Sequence, residues 1–219
     1  MRLLLTSSGL SNKTIENALQ QLAGHSFSEL KVAFIPTASN IEYGDKSWLI
    51  DDLISCRKLG FREIDIVDVS ALPKNVWEKR IESADIIFVG GGNLYHLMYW
   101  FDKSGFSDVL PKFLKTRIYV GASAGSMVVA PIINAPDEKV LAEETNGILN
   151  MNNRGLSLVD FTIEPHINNN NFPELTFEYA NKFAKKVGIP VYAIDDQSAV
   201  KMSGDEVSVV SDGVWKRFN

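Results

Sequence analysis

The sequence predicts an α/β fold in which a mostly parallel sheet is flanked by helices on both faces, and three observations predict it. Short apolar runs without alternation recur along the chain, which is how strands buried on both faces read. Between them lie segments with the helical spacing of apolar residues, several of them stopped by glycine. The two kinds of segment alternate, the pattern of a doubly wound sheet with crossover helices.

Taken in order, the predicted strands are 2–7 (RLLLTS), 31–38 (KVAFIPTA), 63–69 (EIDIVDV), 84–91 (ADIIFVGG), 117–123 (RIYVGAS), 160–167 (DFTIEPHI) and 191–196 (VYAIDD). The first helix, within 11–24, carries Ile15, Ala18, Leu19 and Leu22 on one face and ends at Gly24. Further helical segments are 46–60, 75–84, 93–105 and 173–188. The remainder, 198–218, changes character: short β-rich runs are separated by Gly-Asp at 204–205 and Asp-Gly at 212–213, which predicts antiparallel strands at the sheet edge. Asn168 to Asn171 form an asparagine-rich patch that reads as a loop. The chain reads as one domain over residues 1–219.

Composition excludes several classes of function. With 22 basic and 27 acidic side chains the net charge is -5, which gives no electrostatic case for binding nucleic acid or an anionic membrane. The N-terminal apolar run is too short for a signal sequence, and no run approaches a membrane span. The single cysteine, Cys56, rules out a disulfide within the chain, and a cytoplasmic location is expected. HExxH and paired CxxC patterns are absent, so neither a metal nor an organic cofactor is expected.

Ligands of open α/β sheets bind beyond the carboxyl ends of the strands. That rule selects Thr37 to Asn40, Gly90 to Asn93, Ser123 to Ser126, His166 to Asn171 and Asp195 to Ser198. Ser123 sits in Gly121-Ala122-Ser123-Ala124-Gly125, a G-x-S-x-G pattern between a predicted strand and an apolar segment. Small neighbours permit the sharp turn that exposes a nucleophilic hydroxyl; the plainer reading is a serine that caps the next helix. A serine nucleophile needs a base. Of three histidines, His25 falls at the opposite rim and His96 lies among Leu94, Leu97 and Met98 in a helix, whereas His166 emerges at the right rim before a polar loop. The acid that orients the histidine is left open by the residues alone: Asp195, Asp196, Asp137, Glu138 and Glu164 are all candidates. Gly91 and Gly92, followed by Asn93, leave backbone N–H groups free to face a substrate oxygen and, with the N–H of Ala124, predict an oxyanion site; a tight turn is the alternative.

Together, FIPTAS (34–39), FVGGGN (88–93), GASAGS (121–126), EPHI (164–167) and AIDDQSAV (193–200) resemble peptidase family S51, the group of dipeptidase E and, more distantly, cyanophycinase. The resemblance extends from the first strand to about Asp196. It implies a class I glutamine amidotransferase-like (flavodoxin-like) fold, Ser123 as nucleophile, His166 as base, and Gly91, Gly92 and Ala124 in the oxyanion region. For the acid it points either to the segment after the nucleophile helix, Asp137 or Glu138 here, or to the stretch Ile194-Asp195-Asp196, where Asp196 is favoured. Dipeptidase E holds an aspartyl substrate with an arginine after its histidine. Here no arginine or lysine follows His166 before Lys182, so aspartyl preference does not carry over. Asn168 to Asn171 read as a solvated loop, the alternative being a hydrogen-bonding surface for a polar substrate.

The expectation is a serine peptidase that hydrolyses dipeptides or other small peptides through an acyl-enzyme. Two rivals are an esterase using the same serine and a noncatalytic binding or regulatory protein on the same fold. A small peptide is the expected partner, and a homodimer is the self-association left open.

Overall fold

The computed structural model describes residues 1–134 and 153–219. Five parallel strands form the centre of a seven-stranded sheet: β1 (Arg2–Thr6), β2 (Lys31–Ile35), β3 (Glu63–Ile66), β4 (Ile86–Val89) and β5 (Ile118–Ala122). Two antiparallel strands, β8 (Ser198–Ser203) and β9 (Glu206–Ser211), extend it at one edge, giving the order β3-β2-β4-β5-β1-β8-β9.

The apolar runs form strands because both faces are covered. Leu3 and Leu5 of β1 pack with Ile35, Ile87 and Val89 on one face, while Leu4 packs with Phe34, Ile86, Phe88 and Val120 on the other. The second face is covered by α1 (Lys13–Ala23) and α2 (Ser47–Leu59) through Ile15, Leu19 and Cys56. The first is covered by α3 (Lys74–Glu82), α4 (Leu94–Ser104) and α5 (Phe106–Phe113) through Trp77, Leu97, Phe101 and Phe106. No helix among the described residues is long and apolar enough to cross a membrane.

The second half departs from the simple pattern. β6 (Thr162–Glu164) and β7 (Val191–Ile194), expected to continue the main sheet, instead pair in parallel with each other and form a separate sheet, order β10-β7-β6, with β10 (Trp215–Phe218). The reason lies at β1: its outer edge is occupied over its whole length by β8, Arg2 opposite Ser203 through Thr6 opposite Ala199, leaving no edge there for β6. This small sheet buries Val191 and Ala193 against Ala180, Phe183 and Ala184 of α7 (Phe177–Val187). The consequence for function is that residues after β6 and β7 approach the carboxyl ends of β1 and β5 from a second sheet.

Candidate active site

The turn after β5 is built by close contact. Ser123 has φ 48° and ψ -113°, a backbone conformation rare for a side chain with a Cβ. It is held at both ends: its N–H donates to the carbonyls of Thr6 (3.1 Å) and Ser7 (3.0 Å), and its carbonyl accepts from the N–H of Ser126 (2.8 Å) and Met127 (3.0 Å). The helix that follows, α6 (Ala124–Met127), has only four residues, shorter than the apolar segment suggested. Both glycines of G-x-S-x-G are required sterically. A Cβ on Gly121 would lie 2.5 Å from the Gly125 carbonyl oxygen, and one on Gly125 would lie 2.1 Å from that of Val89. Gly125→Ala is therefore expected to lower stability by about 3 kcal/mol, read from a urea denaturation midpoint.

His166 follows β6, also at positive φ (60°). Its Nε2 lies 2.8 Å from Ser123 Oγ and its Nδ1 2.7 Å from Asp196 Oδ1. A carboxylate only accepts, so Nδ1 carries the proton, and Nε2 is left as the acceptor for the serine hydroxyl. The ring stacks on Phe172 with centroids 4.8 Å apart. Burial alone would push the Asp196 carboxyl up. The hydrogen bond and charge of His166, with hydrogen bonds from Ser7 and Asn169, outweigh that and hold it at about 2. It is thus ionised wherever His166 needs a counter-charge.

Two further groups complete the arrangement: Ser7, which was not singled out in the sequence, and Asn169, which the strand-end rule selected within a loop read as solvated. Ser7, just after β1, touches all three residues: its Oγ donates to Asp196 Oδ1 (2.6 Å) and accepts the His166 N–H (2.8 Å), and its carbonyl accepts from Ser123. Asn169, in the loop read as solvated, donates from Nδ2 to Asp196 Oδ2. The signal for Ser7 lay in the strand-end rule itself, because Ser7 follows the apolar run 2–6 as Ser123 follows its own. Ser7→Ala is expected to lower kcat about tenfold while leaving KM nearly unchanged, since it removes hydrogen bonds that orient the histidine and acid and not the substrate. A steady-state comparison of the two constants checks this.

The other candidates are dispersed. Asp195 accepts from Ser198 Oγ and the N–H groups of Gln197 and Val214, so its carboxylate organises the turn into β8. Glu164 lines the cavity without a bond to His166. Asp137 and Glu138 lie outside the described residues. Gly91 abuts the serine, its would-be Cβ 3.3 Å from Ser123 Cβ, and Gly92, at φ 124°, lies against the Ala38 backbone. Asn93, expected to meet substrate, does not line the cavity: it is fully buried, its side chain caps α4 by accepting the His96 N–H (2.9 Å), and its N–H donates to Ala38. His96 sits on α4 beside Trp100, with burial lowering its pKa, and His25 is exposed beyond α1. Ser123, His166 and Asp196 open onto a cavity of about 560 Å³, a size suited to a small ligand.

Known proteins are similar to this chain over most of its length. An uncharacterized peptidase of Listeria monocytogenes is 28% identical over 80% of this chain and 83% of its own. A peptidase E of Streptomyces coelicolor is 26% identical over 94% of this chain and 82% of its own. The crystal structure of a candidate peptidase E from Listeria monocytogenes superposes with a TM-score of 0.78 at 25% identity, covering 97% of this chain and 98% of the other. The shared architecture is the flavodoxin-like, class I glutamine amidotransferase-like fold. The family model described as peptidase family S51 matches residues 3–210, nearly the whole length, and the chain therefore belongs to peptidase family S51.

Proposed function

We propose that this peptidase works as a serine hydrolase on dipeptides or other small peptides, with Ser123 as nucleophile, His166 as general base and acid, and Asp196 as the group that orients and charge-balances the histidine. The observation that carries the reading is the unbroken relay from Ser123 Oγ to His166 Nε2 (2.8 Å) and from His166 Nδ1 to Asp196 Oδ1 (2.7 Å). Ser123 Oγ attacks the scissile carbonyl while its proton passes to Nε2, and the imidazolium that forms is stabilised by the Asp196 carboxylate. His166 then protonates the leaving amine, so the C–N bond breaks and an ester to Ser123 remains. Water, deprotonated by the same Nε2, hydrolyses that ester and restores the serine.

The developing oxyanion is assigned to the N–H groups of Gly91 and Ala124, with Gly92 shaping the loop that presents the first. Neither of those two N–H groups has an acceptor among the described residues, and Gly91 lies against the serine. Donors fixed by the fold before the reaction lower the barrier because they need no rearrangement when the charge appears.

A fluorophosphonate probe tests the assignment. One adduct per chain, mapped by mass spectrometry to Ser123 and greatly slowed in His166→Ala, is expected. A folded wild-type protein that does not label would favour a noncatalytic binding role.

A further inference from the structure

Acids crowd the wall of the cavity beside Ser123: Glu42, Asp45, Asp52, Glu164 and Glu174 join Asp196, and no lysine or arginine lines it among the described residues. Acidic lining by itself identifies nothing. Two of these carboxyls, however, are set unlike surface acids. Glu164, the last residue of β6, is only 2% exposed, and its Oε1 is buried with no hydrogen-bond partner among the described residues. Burial pushes its carboxyl up to about 8. Asp52, on α2, is tucked against Gly9 so closely that a Cβ there would lie 2.0 Å from Asp52 Oδ1. Burial, and then the charge of Asp51, pushes its carboxyl up to about 7. Lys46 offsets part of the charge of Glu42. A buried polar atom without a partner is costly and rare, and the residue that carries this one lines the space a substrate would enter.

We infer that the cavity accepts a ligand bearing a primary ammonium group, with Glu164 as its partner and the exposed wall acids Asp45 and Glu174 supplying a field that favours a cation. The inference rests on the peptidase reading above and names its substrate class: peptides with a positive charge beside the scissile bond, carried either by the free α-amino group or by a lysyl side chain. When the ammonium enters, Glu164 gives up its proton to solvent, and an ion pair forms where little water competes. Asp45 and Glu174 on the same wall repel an aspartyl carboxylate. The missing arginine after His166 is therefore matched by acids that reverse the preference.

The test is equilibrium binding to Ser123→Ala protein, which needs no turnover, with and without Glu164→Gln added. Two matched pairs serve as probes: alaninamide against N-acetylalaninamide for the α-amino group, and Nα-acetyl-lysinamide against its Nε-acetylated form for the side chain. At least roughly tenfold tighter binding of the ammonium member in one pair, lost when Glu164→Gln is added, is expected, and the pair that shows it identifies the source of the charge. Equal binding within both pairs, or a preference that survives Glu164→Gln, overturns the inference. Should Glu164→Gln not fold, proton release decides. At about pH 6.5, between the ordinary carboxyl value of 4.5 and the raised one, at least about one proton should be released per ammonium bound, Asp52 at about 7 adding to the release from Glu164; none released overturns it. These results stand apart from fluorophosphonate labelling, whose failure would bear on the serine mechanism alone.

Discussion

Ser123→Ala is expected to lower kcat for peptide hydrolysis by about a millionfold with little change in KM, and to leave the melting temperature where it was. Alanine retains the Cβ, so the positive φ of 48° is no more strained than before, and the backbone bonds to the carbonyls of Thr6 and Ser7 and from the N–H groups of Ser126 and Met127 remain. What disappears is the single oxygen 2.8 Å from His166 Nε2, and with it the covalent route. Cavity and oxyanion donors persist, so the substrate still binds. Steady-state kinetics on a dipeptide panel, beside a thermal melt, checks both halves.

Asp196→Asn is expected to lower kcat by about four orders of magnitude, although the two side chains are nearly the same shape. In the native site Oδ1 accepts from His166 and Ser7, and Oδ2 accepts from Asn169. An amide cannot replace both oxygens. With its NH2 toward Asn169, two donors confront each other. With its NH2 toward His166, the ring must place its proton on Nε2, and it then cannot accept one from Ser123. The substitution also changes the response to acid. Because the folded state holds Asp196 at about 2, below its ordinary 3.8, the stability it contributes is complete above that ordinary value and is lost as pH falls through about 2. Melting temperatures measured between pH 4 and pH 2 should fall less steeply in Asp196→Asn than in wild type. An equal slope would show that Asp196 is not held as the hydrogen-bond pattern implies.

The parts of this molecule that were legible in the sequence are those fixed by local pattern. Burial on both faces forces continuous apolar runs such as 86–89 and 118–122, and the close approach of Gly121 and Gly125 to neighbouring backbone forces glycines around Ser123. His166 and Asp196 follow from a single rule, that side chains just beyond strand ends meet at one rim, and the structure brings both to Ser123 even though their strands belong to a second sheet. That second sheet was not legible. Residues 162–164 and 191–194 look like any buried strand, and what removes them from the main sheet is competition from β8 for the edge of β1, a pairing made across nearly the whole chain. Ser7 and the role of Asn169 were hidden for a related reason. Serine after a strand and asparagine in a loop are ordinary residues for such positions, and only the fold shows that both are directed at Asp196. Asn93 illustrates the opposite error: its place beside three glycines suggested substrate contact, but asparagine is also a preferred helix cap, and that is the role its Oδ1 fills. Glu164 was legible only as a candidate acid near His166; that its Oε1 is buried without a hydrogen-bond partner among the described residues shows only in the fold.

The central claim, a covalent acyl-enzyme on Ser123, is tested most directly by mixing wild-type protein with a slowly hydrolysed activated ester or amide, quenching in acid during turnover, and mapping the adduct by mass spectrometry. One acyl group per chain is expected, on the peptide containing Ser123, formed in a burst before steady turnover and absent from Ser123→Ala. Turnover without an adduct, or hydrolysis at wild-type rate by Ser123→Ala, would contradict it.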